Sequence, residues 1–88
     1  MDGSVPTTDL SGDLFSSGVN IIELLEKVSL IPSRAEGRRL VQQGGVKING
    51  MKITHFDHMI QEMDFQDGIL LIQKGKKVFH RVRIPGQN

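Results

Sequence analysis

Residues 33–50 read SRAEGRRLVQQGGVKING. Within them four side chains are Lys or Arg against one acid, Glu36, and Lys52 follows just beyond. Ser33 and Glu36 form a Ser-x-x-Glu box, the pattern in which a hydroxyl and a carboxylate satisfy the unpaired N–H groups at a helix start. Pro32 keeps that helix from continuing back into the preceding segment. Advancing 100° per residue from Arg34 puts Arg34, Arg38, Gln42 and Arg39 in one arc about 140° wide, with Leu40, Gly37 and Val41 on the other side. The helix is therefore basic on one flank and apolar on the other. Gly37 costs about 1 kcal/mol relative to Ala in a helix interior, and its place in the apolar stripe marks a close approach of another element. Gly44 and Gly45 stop the helix, since glycine readily takes the left-handed conformation of helix ends. VKINGMKI then alternates as a half-buried hairpin around Asn49-Gly50, the pair preferred in two-residue type I′ turns. In that register Val46, Ile48, Met51 and Ile53 face inward and Lys47 stands across from Lys52, a mildly destabilising like-charged pair that an anionic partner would relieve.

Upstream, Asn20 is a good N-cap with Glu23 three residues later, and Ile21, Ile22, Leu24, Leu25 and Val28 share one helical face. Residues 1–18, with Pro6 and scattered Ser, Thr and Gly, read as a flexible linker or tail. Residues 19–86 read as the folded domain and 87–88 as a C-terminal tail. GILLIQKGKKVFHRVRI reads as two further strands turning near Lys74 to Lys77, with Val78, His80, Val82 and Ile84 inward and Phe79, Arg81 and Arg83 outward. THFDHMIQEMDFQD has no clean period and reads as a connection with at most a short strand. The fold class is α+β: two short helices packed on a small, mainly antiparallel sheet.

Composition agrees with one small domain. The chain has 88 residues, 38% of them hydrophobic, with ten glycines and no cysteine, so a single core must hold it without disulfides or a thiolate zinc site. It has neither a signal-peptide pattern nor an apolar run of spanning length, which together with the missing cysteines fits a soluble, cytoplasmic protein and no membrane partner. The net charge of +1 conceals a segregation: ten of the eleven basic residues fall in two blocks. These are Arg34, Arg38, Arg39, Lys47 and Lys52 against Glu36 alone, and Lys74, Lys76, Lys77, Arg81 and Arg83 with no acid. Such segregation points to a polyanion-binding surface. Arg forks grip phosphate oxygens and Lys acts as a point charge. Structured RNA is the natural target, because A-form helices offer phosphates and 2′-hydroxyls to a rigid platform by shape. Tyr and Trp are absent and none of the four Phe stands out as exposed, so base stacking is not expected to dominate.

Rival sites are thin. His55 and His58 with Asp57 could suggest a metal, but two His in an unperiodic loop without Cys are far more often solvated, and none is assigned. Ser33 is explained as a cap rather than a nucleophile. KGKK lacks P-loop spacing. The four Met are read as core.

From about Asn20 to Ile53 the chain resembles the RNA-binding domain named after the fourth small-subunit ribosomal protein, two helices and a hairpin that lie on RNA. SRAEGRRLVQQGGVKING is similar to that family's Ser-x-x-Glu-Ala-x-x-Leu-Ile-x-x-Gly-x-Val-x-Val-Asn-Gly pattern, with Gly37 where Ala is usual. Among carriers of this module, the ending DGILLIQKGKKVFHRVRI resembles the close of bacterial-type tyrosyl-tRNA synthetases, and VPTTDL resembles the linker that precedes the domain there. The resemblance implies an appended tRNA-binding domain that holds the variable arm and nearby stem. Matched by position, it implies RNA contacts at Arg34, Arg38, Arg39, Lys47, Lys52, Lys74, Lys76 and Lys77, with Gln42, Arg81 and Arg83 as weaker members. Its partners would be tRNA, tyrosine-specific, and the rest of a homodimeric synthetase, the fragment itself being monomeric. His-Ile-Gly-His-like and Lys-Met-Ser-Lys-Ser-like stretches do not occur, so the piece is expected to do no chemistry and to need no cofactor, ATP and Mg belonging to an absent catalytic domain. Two alternatives keep the same surface: the module in a ribosome-associated factor or pseudouridine synthase, and a basic face docking on an acidic protein.

Overall fold

The structure, a computed structural model, describes residues 5–86; the expected tail at 87–88 lies outside the described residues. In chain order the elements are β1 (Thr7–Asp9), a 3-10 turn (Gly12–Phe15), β2 (Val19–Asn20), α1 (Ile21–Lys27), α2 (Arg34–Gln42), β3 (Val46–Ile48), β4 (Met51–Lys52), β5 (Met59–Ile60), a second 3-10 turn (Glu62–Asp64), β6 (Ile69–Lys74) and β7 (Val78–Arg83). Five strands form one sheet in the order β1-β7-β6-β3-β4, antiparallel except for the β1–β7 pair, and β2 pairs with β5 in a separate ribbon. The two helices and the mainly antiparallel sheet are those the sequence implies.

Each helix begins where its cap is. Asn20 Oδ1 accepts from Ile22 N at 2.8 Å, and Ser33 Oγ accepts from Glu36 N at 3.3 Å. The carboxylate of Glu36 does not complete the box; it accepts instead from Arg39 at 3.1 Å. The apolar face of α1 packs on one face of the sheet, where Val46, Ile48, Leu70, Ile72 and Val82 alternate inward. Gly37 is where α2 meets this layer: a Cβ there would sit 2.6 Å from Ile31 Cδ1 and 3.2 Å from Ile22 Cγ2. Asn49 and Gly50 both take positive φ, 52° and 85°, as a type I′ turn requires, and Lys47 pairs across from Lys52.

Three expectations fail. Residues 5–18 are no linker in this fold: β1 extends the sheet, and Phe15 is fully buried, edge-on to Phe65 with ring centroids 4.8 Å apart. The strand is tied down by a 2.7 Å hydrogen bond between Thr8 Oγ1 and His80 Nε2 and by Arg83, which donates to both carboxylate oxygens of Asp9 at 2.9 and 2.8 Å. Among the described residues the methionines are not core: Met51 is 73%, Met59 45% and Met63 82% exposed. Met51 shares the inner side of the hairpin with Ile48 but lies on the edge strand β4, past the reach of the helices. Val78, expected inward, stands 45% exposed beside the turn that opens β7.

Candidate nucleic-acid interface

The helices cover only one side of the five-stranded sheet. On the other, register lines up Lys52, Lys47, Gln73 and Phe79 in one row across four strands; Leu71 and Arg81 pair in the next row, Ile69 and Arg83 beyond. The strand period of two puts every one of these on the outer face.

At the upper corner of this face the chain builds a cleft lined by Gly44, Gly45, Lys47, Lys52, Gln73, Gly75 and Lys76. Three features assemble it. The helix stop at Gly44, φ +76°, turns the chain into β3 and leaves room for the stem of Lys52, whose Cδ would lie 3.3 Å from a Cβ at that glycine. The Gly75 amide at the β6–β7 turn donates to the Gly45 carbonyl at 2.7 Å, pinning the KGKK turn to the end of α2. Gln73 then holds the turn's shape by donating to the Gly75 carbonyl at 3.1 Å. Three lysines from two separate stretches of sequence, the β3–β4 hairpin and the β6–β7 turn, thus border one glycine-floored cleft, and none of them forms an ion pair among the described residues. A helix C-terminus carries partial negative charge, which favours a lysine there but falls short of neutralising three. Arg38 and Gln42, exposed on α2, lead to the cleft along the basic flank.

The other candidate residues are placed differently. Arg34 donates to Glu26 of α1 at 3.1 Å, Arg39 pairs with Glu36 and Arg83 with Asp9, so each already has an anion. Hydrogen bonds from Arg83 hold the Asp9 carboxyl below its ordinary value, and Asp9 raises Arg83 in return. Lys74 sits on the inner side of β6 and donates to the Leu30 carbonyl at 2.8 Å, capping the chain beyond α1. Its alternation with the outward Gln73 could have flagged this. Lys77 and Arg81 are exposed without an ion pair among the described residues. His55 and His58 lie in one turn, the His58 amide donating to the His55 carbonyl at 3.1 Å, and no cluster of three or more His, Cys, Asp or Glu forms among the described residues.

Two contributors escape a sequence reading. Asn49, legible only as a turn former, also accepts from Leu71 N at 3.0 Å and donates to the Asp64 carbonyl at 2.7 Å, locking the hairpin to β6 and to the 3-10 turn. Phe79 is 37% exposed on the outer face and Phe56 43%, although neither stands out as exposed in the sequence.

The family model of the tyrosine–tRNA ligase SYY-like C-terminal domain matches residues 2–82, which include β1, the glycine cleft and nearly all of β7. The chain belongs to that domain family. This C-terminal domain is 47% identical over 81 residues to a tyrosine–tRNA ligase of Acetivibrio thermocellus, covering 92% of the present chain and 20% of that protein. It is 42% identical over 82 residues to tyrosine–tRNA ligase 1 of Clostridium acetobutylicum, and 41% over 81 residues to the tyrosine–tRNA ligase of Clostridium botulinum strain Eklund 17B, with the same coverage in both cases. The C-terminal domain thus spans about a fifth of the length of the curated relatives it matches. Among the described residues no helix is long and apolar enough to cross a membrane.

Proposed function

We propose that the chain is the appended tRNA-binding domain of a tyrosine–tRNA ligase, gripping the tRNA variable arm and nearby stem. The observation that carries this reading is the glycine-floored cleft, where Lys47, Lys52 and Lys76 converge with no acid of their own. Holding three cations side by side is unfavourable in the free domain and becomes favourable over phosphate. Arg38, Gln42 and Lys77 extend the grip, Arg81 lies lower on the same side as Lys47, and the already paired Arg34, Arg39 and Arg83 serve first to hold elements together. The names of the relatives support tRNA as the partner. On this reading tyrosine activation, with its ATP and Mg, and dimerisation belong to other parts of the longer protein. The domain itself contributes affinity and orientation in the cytoplasm, as a monomer.

The test is a salt titration of binding to a tRNA with a long variable arm beside one with a short arm, repeated with Arg38→Ala and Lys47→Ala. The long-arm tRNA should bind more tightly, and each change should lower the log-log salt slope by about one. Binding of neither tRNA above a random acidic polymer would overturn the proposal.

A further inference from the structure

Below the lysine cleft, the outer sheet face holds a second depression lined by Val5, Asn49, Gln66, Ile69, Leu71, Phe79 and Arg81. Its floor is apolar, Leu71 and Ile69 both standing half-buried on the outward side of β6. The exposed Phe79 and Arg81, two residues apart along β7 and therefore on the same face, both line it. Gln66 adds an amide at the rim, and the amide of Asn49 already spends one donor and its oxygen within the fold. The depression joins the lysine cleft through a single residue: Phe79 pairs with Gln73, and Gln73 with Lys47. Adjacent strands are about 4.8 Å apart, so ring and ammonium are rooted about 10 Å apart along one row.

We propose that this depression takes one unpaired base of the bound RNA, stacked on Phe79 and flanked by Arg81, while a neighbouring phosphate sits at Lys47. The inference rests on the RNA reading of the lysine cleft and deepens it. Continuity with that cleft and the positive charge at both ends favour a nucleotide over an apolar protein segment, which would have no use for the unpaired guanidinium. A planar base has a π-face for the ring, a polar edge for the Gln66 amide and Arg81, and a phosphate at the right end. The contact gives the domain a means of telling a duplex with a flipped or bulged nucleotide from a continuous one, which phosphate contacts alone do not provide.

Two probes separate the claims: a 12-base-pair RNA duplex, and the same duplex carrying one bulged 2-aminopurine. The whole 88-residue chain should bind the bulged duplex more tightly and quench its fluorescence. Phe79→Ala should remove that preference, about tenfold, with quenching lost and affinity for the plain duplex unchanged. That unchanged affinity also reports that the variant is folded. Phe79→Trp should keep both preference and quenching, and Phe79→Leu should keep neither. Lys47→Ala should weaken both probes alike. Equal binding of the two probes by the unaltered chain, or equal losses on both in Phe79→Ala, overturns the base site and leaves the lysine cleft standing. Self-association that depends on Phe79 while RNA binding does not would likewise overturn it. If neither probe binds, the RNA reading itself fails and the base site falls with it.

Discussion

At single residues on the sheet's outer face the proposed RNA binding and the stability of the free domain pull apart. Lys47 and Lys52 face each other across the hairpin, an arrangement that costs a few tenths of a kcal/mol or more in any free domain. Lys52→Thr should therefore raise the stability of the free protein by roughly 0.2–1 kcal/mol while weakening RNA binding, as read by denaturant midpoint and by titration on one preparation. Gly44 acts oppositely. At φ +76° an alanine is strained by about 1–2 kcal/mol, and its Cβ would crowd the stem of Lys52, so Gly44→Ala should lose both stability and binding. His80 is buried against Thr8 and its burial pushes the imidazole below its ordinary value near 6.5. The sign follows from linkage: between the folded and unfolded values the unfolded chain holds more protons, so stability rises with pH there. The contribution is complete above about pH 6.5 and is lost as pH falls toward the folded value. Asp9, also depressed, adds a second loss at lower pH, below its ordinary 3.8. Urea midpoints across pH 4–8 should thus fall on the acid side, and His80→Asn should flatten the upper part of that slope.

At the scale of elements, the contact between α1 and α2 turns on one missing side chain. Gly37→Val would place branched carbons where even a first carbon lies 2.6 Å from Ile31 and 3.2 Å from Ile22; the overpacking should cost about 2–3 kcal/mol, seen as a shift in melting temperature with little change in the salt slope of any RNA binding that remains. This junction was legible in the sequence because its signals are local: a cap, an amphipathic period, a glycine in the apolar stripe and an Asn-Gly turn all fall within residues 33–50. The same holds for β6 and β7. What resisted reading depends on contacts far apart in the chain. β1 is only three residues long and pairs with a strand more than seventy residues away, so Thr7 to Asp9 looked like a tail. Nothing near Lys74 in sequence announces that Leu30 carbonyl is its partner. Likewise, whether Arg34, Arg39 and Arg83 are free for phosphate depends on Glu26, Glu36 and Asp9, only one of which is their near neighbour. Exposure at Met51 follows from how far two short helices can cover a five-stranded sheet, and that of Phe79 from the open outer face on which it stands.

For the whole molecule, the layered arrangement divides labour. One sheet face is sealed by helices and carries the core; the other stays open and carries charge, so the proposed RNA surface can vary without disturbing the packing. A single layer of helices gives a small core, and its outlying members matter accordingly. Phe15→Ala, which removes a fully buried ring packed on Phe65, should cost about 3–5 kcal/mol, a large share of the 5–15 kcal/mol typical of a domain. Removal of the first 18 residues should likewise leave the remainder unfolded or nearly so by circular dichroism, although the described ones among them, 5–18, do not line the lysine cleft. The cleft joins the end of α2, the β3–β4 hairpin and the β6–β7 turn, so it forms only when the whole sheet does. Its role is best tested by comparing two triple variants for the salt dependence of binding to a long-arm tRNA: Lys47→Ala, Lys52→Ala and Lys76→Ala together, against Arg34→Ala, Arg39→Ala and Arg83→Ala together. If the unpaired lysines hold phosphates, the first set should lower the log-log slope by about two to three, and the second, whose cations already have protein partners, by less than one. Equal slopes for the two sets, or a larger loss from the paired arginines, would contradict the assignment of the RNA grip to the glycine-floored cleft.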